Sequence, residues 1–295
     1  MKVLRRCVLP MTTTKADAPA KVNLTLHVTG QREDGYHLLD SLVVFADVAD
    51  HLTATHADDL TLTVSGPFAQ GVPVDDTNLM MRAAQALCTA RGIIAGAAMT
   101  LVKNLPHAAG IGSGSSDAAA TLGMLAALWD VKPLAADAPE VLALGADVPV
   151  CRHAPNPVRM SEIGEVLTPV PPLPSLALVL VRPPVDVPTG AVFDGLATKQ
   201  GTPMSPFPAG LGFAGFVDWL KVQRNDLQPP AEKIAPQIAT TIAALNALPD
   251  VAFAGMSGSG ATCFAVVQEL DAARRVAGAM QAAHPNWWIV PADVL

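Results

Sequence analysis

The sequence predicts an α+β fold in two parts, and three stretches carry that prediction. From Val251 to Val290 the order strand, turn, strand, helix, strand describes an antiparallel sheet with helices on one face. From Met99 to Trp129 a short strand passes through a glycine-rich loop into an alanine-rich helix. Nearer the start, Ala20–Val28 and Leu60–Val64 alternate polar and apolar residues, the period of strands with one buried face.

Composition limits the function classes. Apolar residues make up 51% and charged residues 15% of the 295, enough for a sizeable core and too little charge for disorder. The mean hydropathy of +0.36 reflects alanine and valine, and no apolar run approaches the roughly 18 residues a membrane span requires. A soluble, cytoplasmic protein with no membrane partner is expected. A net charge of -7 leaves no basic excess for nucleic acid, although a few placed cations would still admit a small anionic substrate. Cys7, Cys88, Cys151 and Cys263 form no CxxC pair, so reduced thiols are expected, with neither a metal site nor a disulfide framework. Met1–Pro10 lacks the apolar run of a signal peptide; it reads as an upstream start or a frayed end before Met11.

Taken in order, Val22, Leu24, Leu26 and Val28 form one face of the first strand, and Lys21, Asn23, Thr25 and His27 the other. Asp34-Gly35 marks a hairpin turn, and a return strand follows through Tyr36 and His37 to about Val48. By local pattern alone Lys21 and Asn23 are the solvated face of an edge strand. Thr77 and Asn78 cap a helix over Leu79–Ala90, stopped by Arg91-Gly92. The strand Met99–Lys103 feeds the glycine loop, and Ser115, Ser116 and Asp117 supply the cap and first turn of a helix running to Trp129. A short helix over Ala138–Leu144 precedes Asp147, which by itself reads as a turn residue. Prolines crowd the stretch 155–188, which suits a crossover between domains. Ser175–Val181 is a strand buried on both faces, Val187–Val192 leads into a short helix, and Thr202–Pro208 is a surface loop. One long helix is expected over Ala231–Leu248, then strand Val251–Met256, turn Ser257–Gly260, strand Ala261–Val267 and helix Leu270–Ala283.

The glycine loop is the chemical centre of this arrangement. Free N–H groups where such a loop enters a helix bind an anion, above all a phosphate. Two standard phosphate motifs do not fit: no lysine follows a glycine as GxxxxGK[ST] requires, and Ser115 stands where GxGxxG needs glycine. Gly255-Met-Ser-Gly-Ser259 likewise fails the GxSxG nucleophile pattern.

Three motifs in register resemble the GHMP small-molecule kinases: Pro19-Ala-Lys-Val-Asn-Leu24, Pro106-x-x-x-Gly-Ile-Gly-Ser-Gly-Ser-Ser-Asp-Ala-Ala119 and Gly255-Met-Ser-Gly-Ser-Gly-Ala261. Finer marks are Arg32–His37, Leu144–Pro149, Ile163–Leu167 and Asn225–Leu227. The resemblance implies a two-domain GHMP kinase fold. An ATP-binding and catalytic part over 12–165 would resemble ribosomal-protein-S5 domain 2, and a ferredoxin-like α/β sandwich over 166–295 would complete the substrate site. It implies ATP as co-substrate with Mg²⁺, and a small cytidyl-diphosphate-linked sugar alcohol phosphorylated on its 2-hydroxyl in non-mevalonate isoprenoid synthesis. A monomer or weak dimer is expected.

Residue by residue, the resemblance makes Asp147 the catalytic carboxylate and Lys21 its partner. Such a pair suits a poorly nucleophilic tertiary hydroxyl: the carboxylate takes its proton and the ammonium polarises it. The phosphates would lie on Pro106, Gly110, Ile111, Gly112, Ser113, Gly114, Ser115 and Ser116, with Asn78 and Lys103 lining the adenine pocket. Tyr36 and His37 would recognise cytosine, and Asn23 and Thr189 would contact the acceptor. Two departures stand out: Ala108-Ala109 and Ser113 lie where relatives carry more glycine, and Glu162 occupies a frequent glycine position. A GHMP-type kinase for homoserine or a mevalonate-like alcohol, and a nucleotide-binding protein without catalysis, are the alternatives; the latter would need neither Lys21 nor Asp147.

Overall fold

One strand organises the first half of the molecule. In the computed structural model, which describes residues 13–295, the return strand of the hairpin does not stop near Val48. It runs from His37 to Ala57 as β3, because the alternation continues through buried Leu52 and Ala54. β1 (Thr13–Asn23) and β2 (His27–Gln31) pair antiparallel along one edge of β3. β4 (Leu60–Ser65) then leads through α1 (Leu79–Arg91) to β5 (Gly96–Val102), which pairs with the other edge of β3 and, in parallel, with β4. The segment before Thr13, including the expected start at residue 12, lies outside the described residues.

The expected strand Ala20–Val28 is broken between Asn23 and His27. The β1–β3 register jumps between Pro19 and Ala20, and the side-chain alternation reverses there: Ala18 packs on one face of the sheet, Ala20 and Val22 on the other. The face carrying Lys21, Asn23, Thr25 and His27 is not solvated. All four are at most 3% exposed.

α2 (Ser113–Leu128) starts earlier than the serines and aspartate would place it, and its N-cap is Gly112 with φ of 60°. Two single-turn helices follow, α3 (Pro139–Leu142) and α4 (Val148–Cys151), then the hairpin β6 (Val158–Glu162) and β7 (Val166–Pro169). β6 pairs with β3, so the first sheet extends to Pro169, past the expected division at 165/166. We place that division in the proline-rich stretch 170–176, which pairs with neither sheet.

The second sheet has the order β11-β8-β10-β9 and is antiparallel throughout. Its strands are β8 (Ala177–Arg182), β9 (Phe253–Met256), β10 (Cys263–Val267) and β11 (Trp288–Asp293). Between β8 and β9 lie α5 (Thr189–Asp194), α6 (Phe213–Lys221), α7 (Gln228–Ile234) and α8 (Gln237–Asn246); α9 (Leu270–Ala283) precedes β11. Pro236 divides the expected long helix into α7 and α8, because its ring cannot follow an uninterrupted turn. α6 stands where the sequence reading assigned no element. Its Phe216, Val217, Trp219 and Leu220 are buried.

Period-two alternation explains the layering. On β8, Ala177, Val179 and Val181 pack with the helices of the second half, while Leu178 and Leu180 face the first sheet. On β3, Val43 and Phe45 pack with α1 and α2, while Leu42, Val44 and Ala46 face the second sheet. The halves therefore share a central core, and the C-terminal Leu295 N–H donates to Phe45 O at 2.9 Å. No helix among the described residues is long and apolar enough to cross a membrane.

Glu162, at the β6–β7 turn, has φ of +59°, the left-handed region that favours glycine. That conformation costs an L-residue about 1–2 kcal/mol, of which glycine's own chain entropy cancels about 0.5–1. Glu162→Gly is expected to raise the urea unfolding midpoint, by about 0.5–1 kcal/mol of stability; an unchanged or lower midpoint would contradict this account of the turn.

Candidate active site

The glycine loop is held by backbone from both halves of the chain. Lys21 N–H at the end of β1 donates to Ile111 O at 3.0 Å, and Thr262 N–H to Ala109 O at 3.1 Å. Ser257 Oγ donates to Gly110 O at 2.9 Å and itself accepts from Asn23 N–H at 3.1 Å. Only glycine fits at the crossing. A Cβ on Gly110 would lie 2.4 Å from Ser257 O, and the residue has φ of +77°. A Cβ on Gly112 would lie 3.1 Å from Lys21 Cε, so that glycine clears the path of the lysine stem.

Two cavities meet beside this loop. The smaller, about 330 Å³, is lined by Gly110, Gly112, Ser113, Gly114 and Ser115. The larger, about 700 Å³, is lined by Asn23, Tyr36, His37 and Phe193. Lys21, Ser115, Asp147, Thr189, Gly258 and Ser259 line both. At that junction Lys21 Nζ is 2.9 Å from Asp147 Oδ2, with the lysine side chain 4% and the aspartate 37% exposed. The ammonium is enclosed by the protein while the carboxylate opens on the cavities. Asp147 sits at the start of α4 without capping it by its side chain, so its oxygens are left for other partners. Cys151, one turn on, is no competing nucleophile: burial, with the Asp147 charge adding to it, pushes its thiol pKa up.

The serines of the loop divide by role. Ser113 Oγ donates to Pro106 O at 3.2 Å and Ser116 Oγ to Pro19 O at 2.7 Å; both are structural ties. Ser115, which lines both cavities, is the serine that faces the site. Pro106 and Ile111 shape the loop through their carbonyls, and the Ile111 side chain is core.

The larger cavity has an aromatic end. His37 stacks on Phe193 at 4.8 Å between ring centroids, and Tyr36 is 58% exposed beside them. Burial, then the Lys199 charge, lowers the His37 pKa, which favours the uncharged ring. Its Nε2 is buried without a hydrogen-bond partner among the described residues, as is Asn23 Oδ1. Asn23 Nδ2 donates to Ser41 Oγ at 2.8 Å. Thr189 Oγ1 lies 2.9 Å from Ser259 Oγ.

Five expected residues line neither cavity: Pro106, Ile111 and Ser116, which belong to the loop's own framework, and Asn78 and Lys103. Asn78 caps α1, accepting from Met80 N–H at 2.8 Å and donating to Pro73 O at 2.7 Å. Lys103 is 2% exposed, and its ammonium is enclosed by Asp50 and Asp117. A polar position directly behind a phosphate loop reads from sequence as a ligand contact; here it is an internal ion pair. The sequence reading in turn missed Phe193 and Ser259. Phe193 stands four residues after Thr189 on the same short helix, and that i, i+4 spacing is the signal that would have found it.

A glycine-rich loop at one cavity, adjoining a second cavity with a carboxylate at their junction, is an arrangement that suits a small-molecule kinase. The sequence bears this out: the GHMP kinases N terminal domain matches residues 78–155 and the GHMP kinases C terminal region residues 217–286. The chain belongs to the GHMP kinases. It is 53% identical over 284 residues to the 4-diphosphocytidyl-2-C-methyl-D-erythritol kinase of Cereibacter sphaeroides, covering 96% of this chain and 99% of that one. With the same enzyme of Paramagnetospirillum magneticum it shares 50% over 287 residues, covering 97% and 100%. A crystal structure of 4-(cytidine 5'-diphospho)-2C-methyl-D-erythritol kinase superposes with a TM-score of 0.75 at 32% identity, over 95% of this chain and 98% of that one. A mevalonate kinase of L. major in complex with R-mevalonate, at 14% identity and a TM-score of 0.68 over 97% and 98%, shares the fold.

Gly110→Ala is expected to cost about 1–3 kcal/mol of stability, because the added carbon meets fixed backbone. Gly114→Ala meets nothing nearer than Leu79 Cδ1 at 3.7 Å and should stay within about 0.5 kcal/mol of wild type. Equal urea midpoints for the two variants would contradict the clasp described above.

Proposed function

We propose that the chain transfers the γ-phosphoryl group of ATP to the 2-hydroxyl of 4-diphosphocytidyl-2-C-methyl-D-erythritol, a step of non-mevalonate isoprenoid precursor synthesis. The observation that carries this reading is the Lys21–Asp147 pair at the junction of a phosphate loop with an aromatic-ended cavity. The near full-length likeness to enzymes named for this substrate supports the choice of acceptor.

In this reading ATP lays its phosphates over Gly110–Ser115, where loop N–H groups and the start of α2 offset their charge. The acceptor occupies the larger cavity, with its cytosine at Tyr36, His37 and Phe193. Stacking against this aromatic end holds the base. Asn23 Oδ1 and the Thr189 hydroxyl position the sugar alcohol. Asp147 accepts the proton of the 2-hydroxyl as its oxygen bonds to the γ-phosphorus, and the bond from that phosphorus to the β–γ bridging oxygen breaks to release ADP. Lys21 holds the carboxylate in place and carries positive charge to the point of transfer. Alignment in two adjoining cavities supplies much of the acceleration.

Among the described residues no three His, Cys, Asp or Glu side chains gather into a metal centre. Mg²⁺ would arrive on the phosphates of ATP and offset part of their charge. We assign the enzyme to the cytoplasm with its two anionic substrates.

A coupled ADP-release assay with ATP and the cytidyl substrate tests the proposal. Asp147→Asn should lower kcat by about 10²–10⁴-fold; turnover close to wild type would remove the proton-acceptor role. Tyr36→Ala and His37→Ala should each raise the acceptor KM by roughly tenfold or more while leaving that for ATP unchanged. If an alcohol lacking cytosine is turned over equally well by wild type and both variants, the acceptor is a different one.

A further inference from the structure

Beneath the phosphate loop lies a charged cluster that the proposed chemistry does not use. Asp50 on β3, Lys103 just after β5 and Asp117 on α2 bury their side chains to 6% exposure or less. Lys103 Nζ donates to an oxygen of Asp50 and, at 2.7 Å, to Asp117 Oδ2. The other Asp50 oxygen accepts the backbone N–H groups of Asn104 at 2.6 Å and Leu105 at 2.8 Å. Those two residues lead into the loop, and Asp117 stands in the second turn of the helix that leaves it. One cluster thus ties both ends of the loop to the strand that organises the first sheet.

We propose that the Asp50–Lys103–Asp117 triad is the positioning device of the phosphate loop, and that the charge carried by Asp117 sets how tightly the loop holds a nucleotide's phosphates. Two carboxylates against one ammonium leave a net negative charge directly behind an anion site, unless one carboxyl keeps its proton. Asp117 is the one placed to keep it. Its Oδ1 is buried with no hydrogen-bond partner among the described residues, whereas both oxygens of Asp50 are engaged. Burial, with the Asp50 charge adding to it, outweighs Lys103 and pushes Asp117 up to about 7. The groups bearing on Asp117 are Asp50 and Lys103, and the thiol of Cys151 on α4 lies within its field.

The sign follows from the raised value. Below pH 7 the protonated triad is neutral and the loop's donors act undiminished on phosphate. Above it, Asp117 ionises and the added negative charge weakens anion binding. The fold responds in the same direction: the contribution of Asp117 to stability is fully present below its unfolded value near 3.8 and is lost as pH rises through about 7.

This inference rests on the loop being the nucleotide site, and it is tested by binding so that it stands apart from the choice of acceptor. Calorimetry of ATP binding to the full chain is compared between wild type and Asp117→Asn from pH 6 to 8.5, taking the ratio of Kd values at each pH to cancel the titration of ATP itself. The ratio of wild type to variant should be near one at pH 6 and rise roughly fivefold by pH 8.5. A ratio that does not change with pH overturns the role given to Asp117. Lys103→Met should raise the ATP Kd by about tenfold or more, and an unchanged Kd in that variant overturns the positioning role. If wild type binds ATP with the expected pH dependence yet does not turn over the cytidyl substrate, the triad stands and the acceptor assignment falls.

Discussion

The structure depends on how the chain from Leu105 to Gly112 is held. This segment forms no regular element, yet its carbonyls and flanking N–H groups are claimed from three directions: by Lys21 at the end of β1, by Ser257 and Thr262 from the second half, and by Asp50 on β3. Each of these hydrogen bonds is worth only about 1–3 kcal/mol, the bond to the Asp50 carboxylate lying toward the upper end. Together they fix a backbone whose donors must be preorganised for an anion, because a loop that first had to order itself would spend binding energy doing so. The two sheets face each other across one core, and that packing brings the Ser257–Thr262 turn over the loop.

The same constraint accounts for the position of the Lys21–Asp147 pair. The register jump after Pro19 turns Lys21 and Asn23 away from the core between the sheets. Gly112 leaves room for the lysine stem, and the Lys21 backbone is tied to the loop that the ammonium serves. Asp147 meets it from the start of α4, more than a hundred residues along the chain. A lysine enclosed by protein and an aspartate open to both cavities form an asymmetric pair: one member is held, the other is available to a substrate.

Local pattern was enough for elements whose signal is local. Helix α1 runs between Asn78 and Gly92 as its caps dictate, and α9 covers Leu270–Ala283 as its periodicity dictates. It failed where tertiary context decides. Lys21, Asn23, Thr25 and His27 alternate like a solvated face, but burial by the second half and by α2 reverses that reading, and no local signal encodes either. Pro236 was visible and still did not suggest that one helix is two. The motif resemblance placed Lys21, Asp147, Tyr36 and His37 around common cavities, where spacing alone left Lys21 and Asp147 as surface and turn residues. It misplaced Lys103, because a motif specifies sequence position and not which way a side chain turns. That direction is set by Asp50, a buried carboxylate in a stretch with no motif.

Asp147 and the glycine loop are proposed to act on one acceptor oxygen from adjoining cavities. A structure of the chain with a non-hydrolysable ATP analogue and the cytidyl substrate would test it directly. The account requires the acceptor hydroxyl about 2.6–3.2 Å from an Asp147 oxygen, in line with the γ-phosphorus and with cytosine against His37. An acceptor hydroxyl turned away from Asp147, or γ-phosphate bound outside Gly110–Ser115, would contradict it.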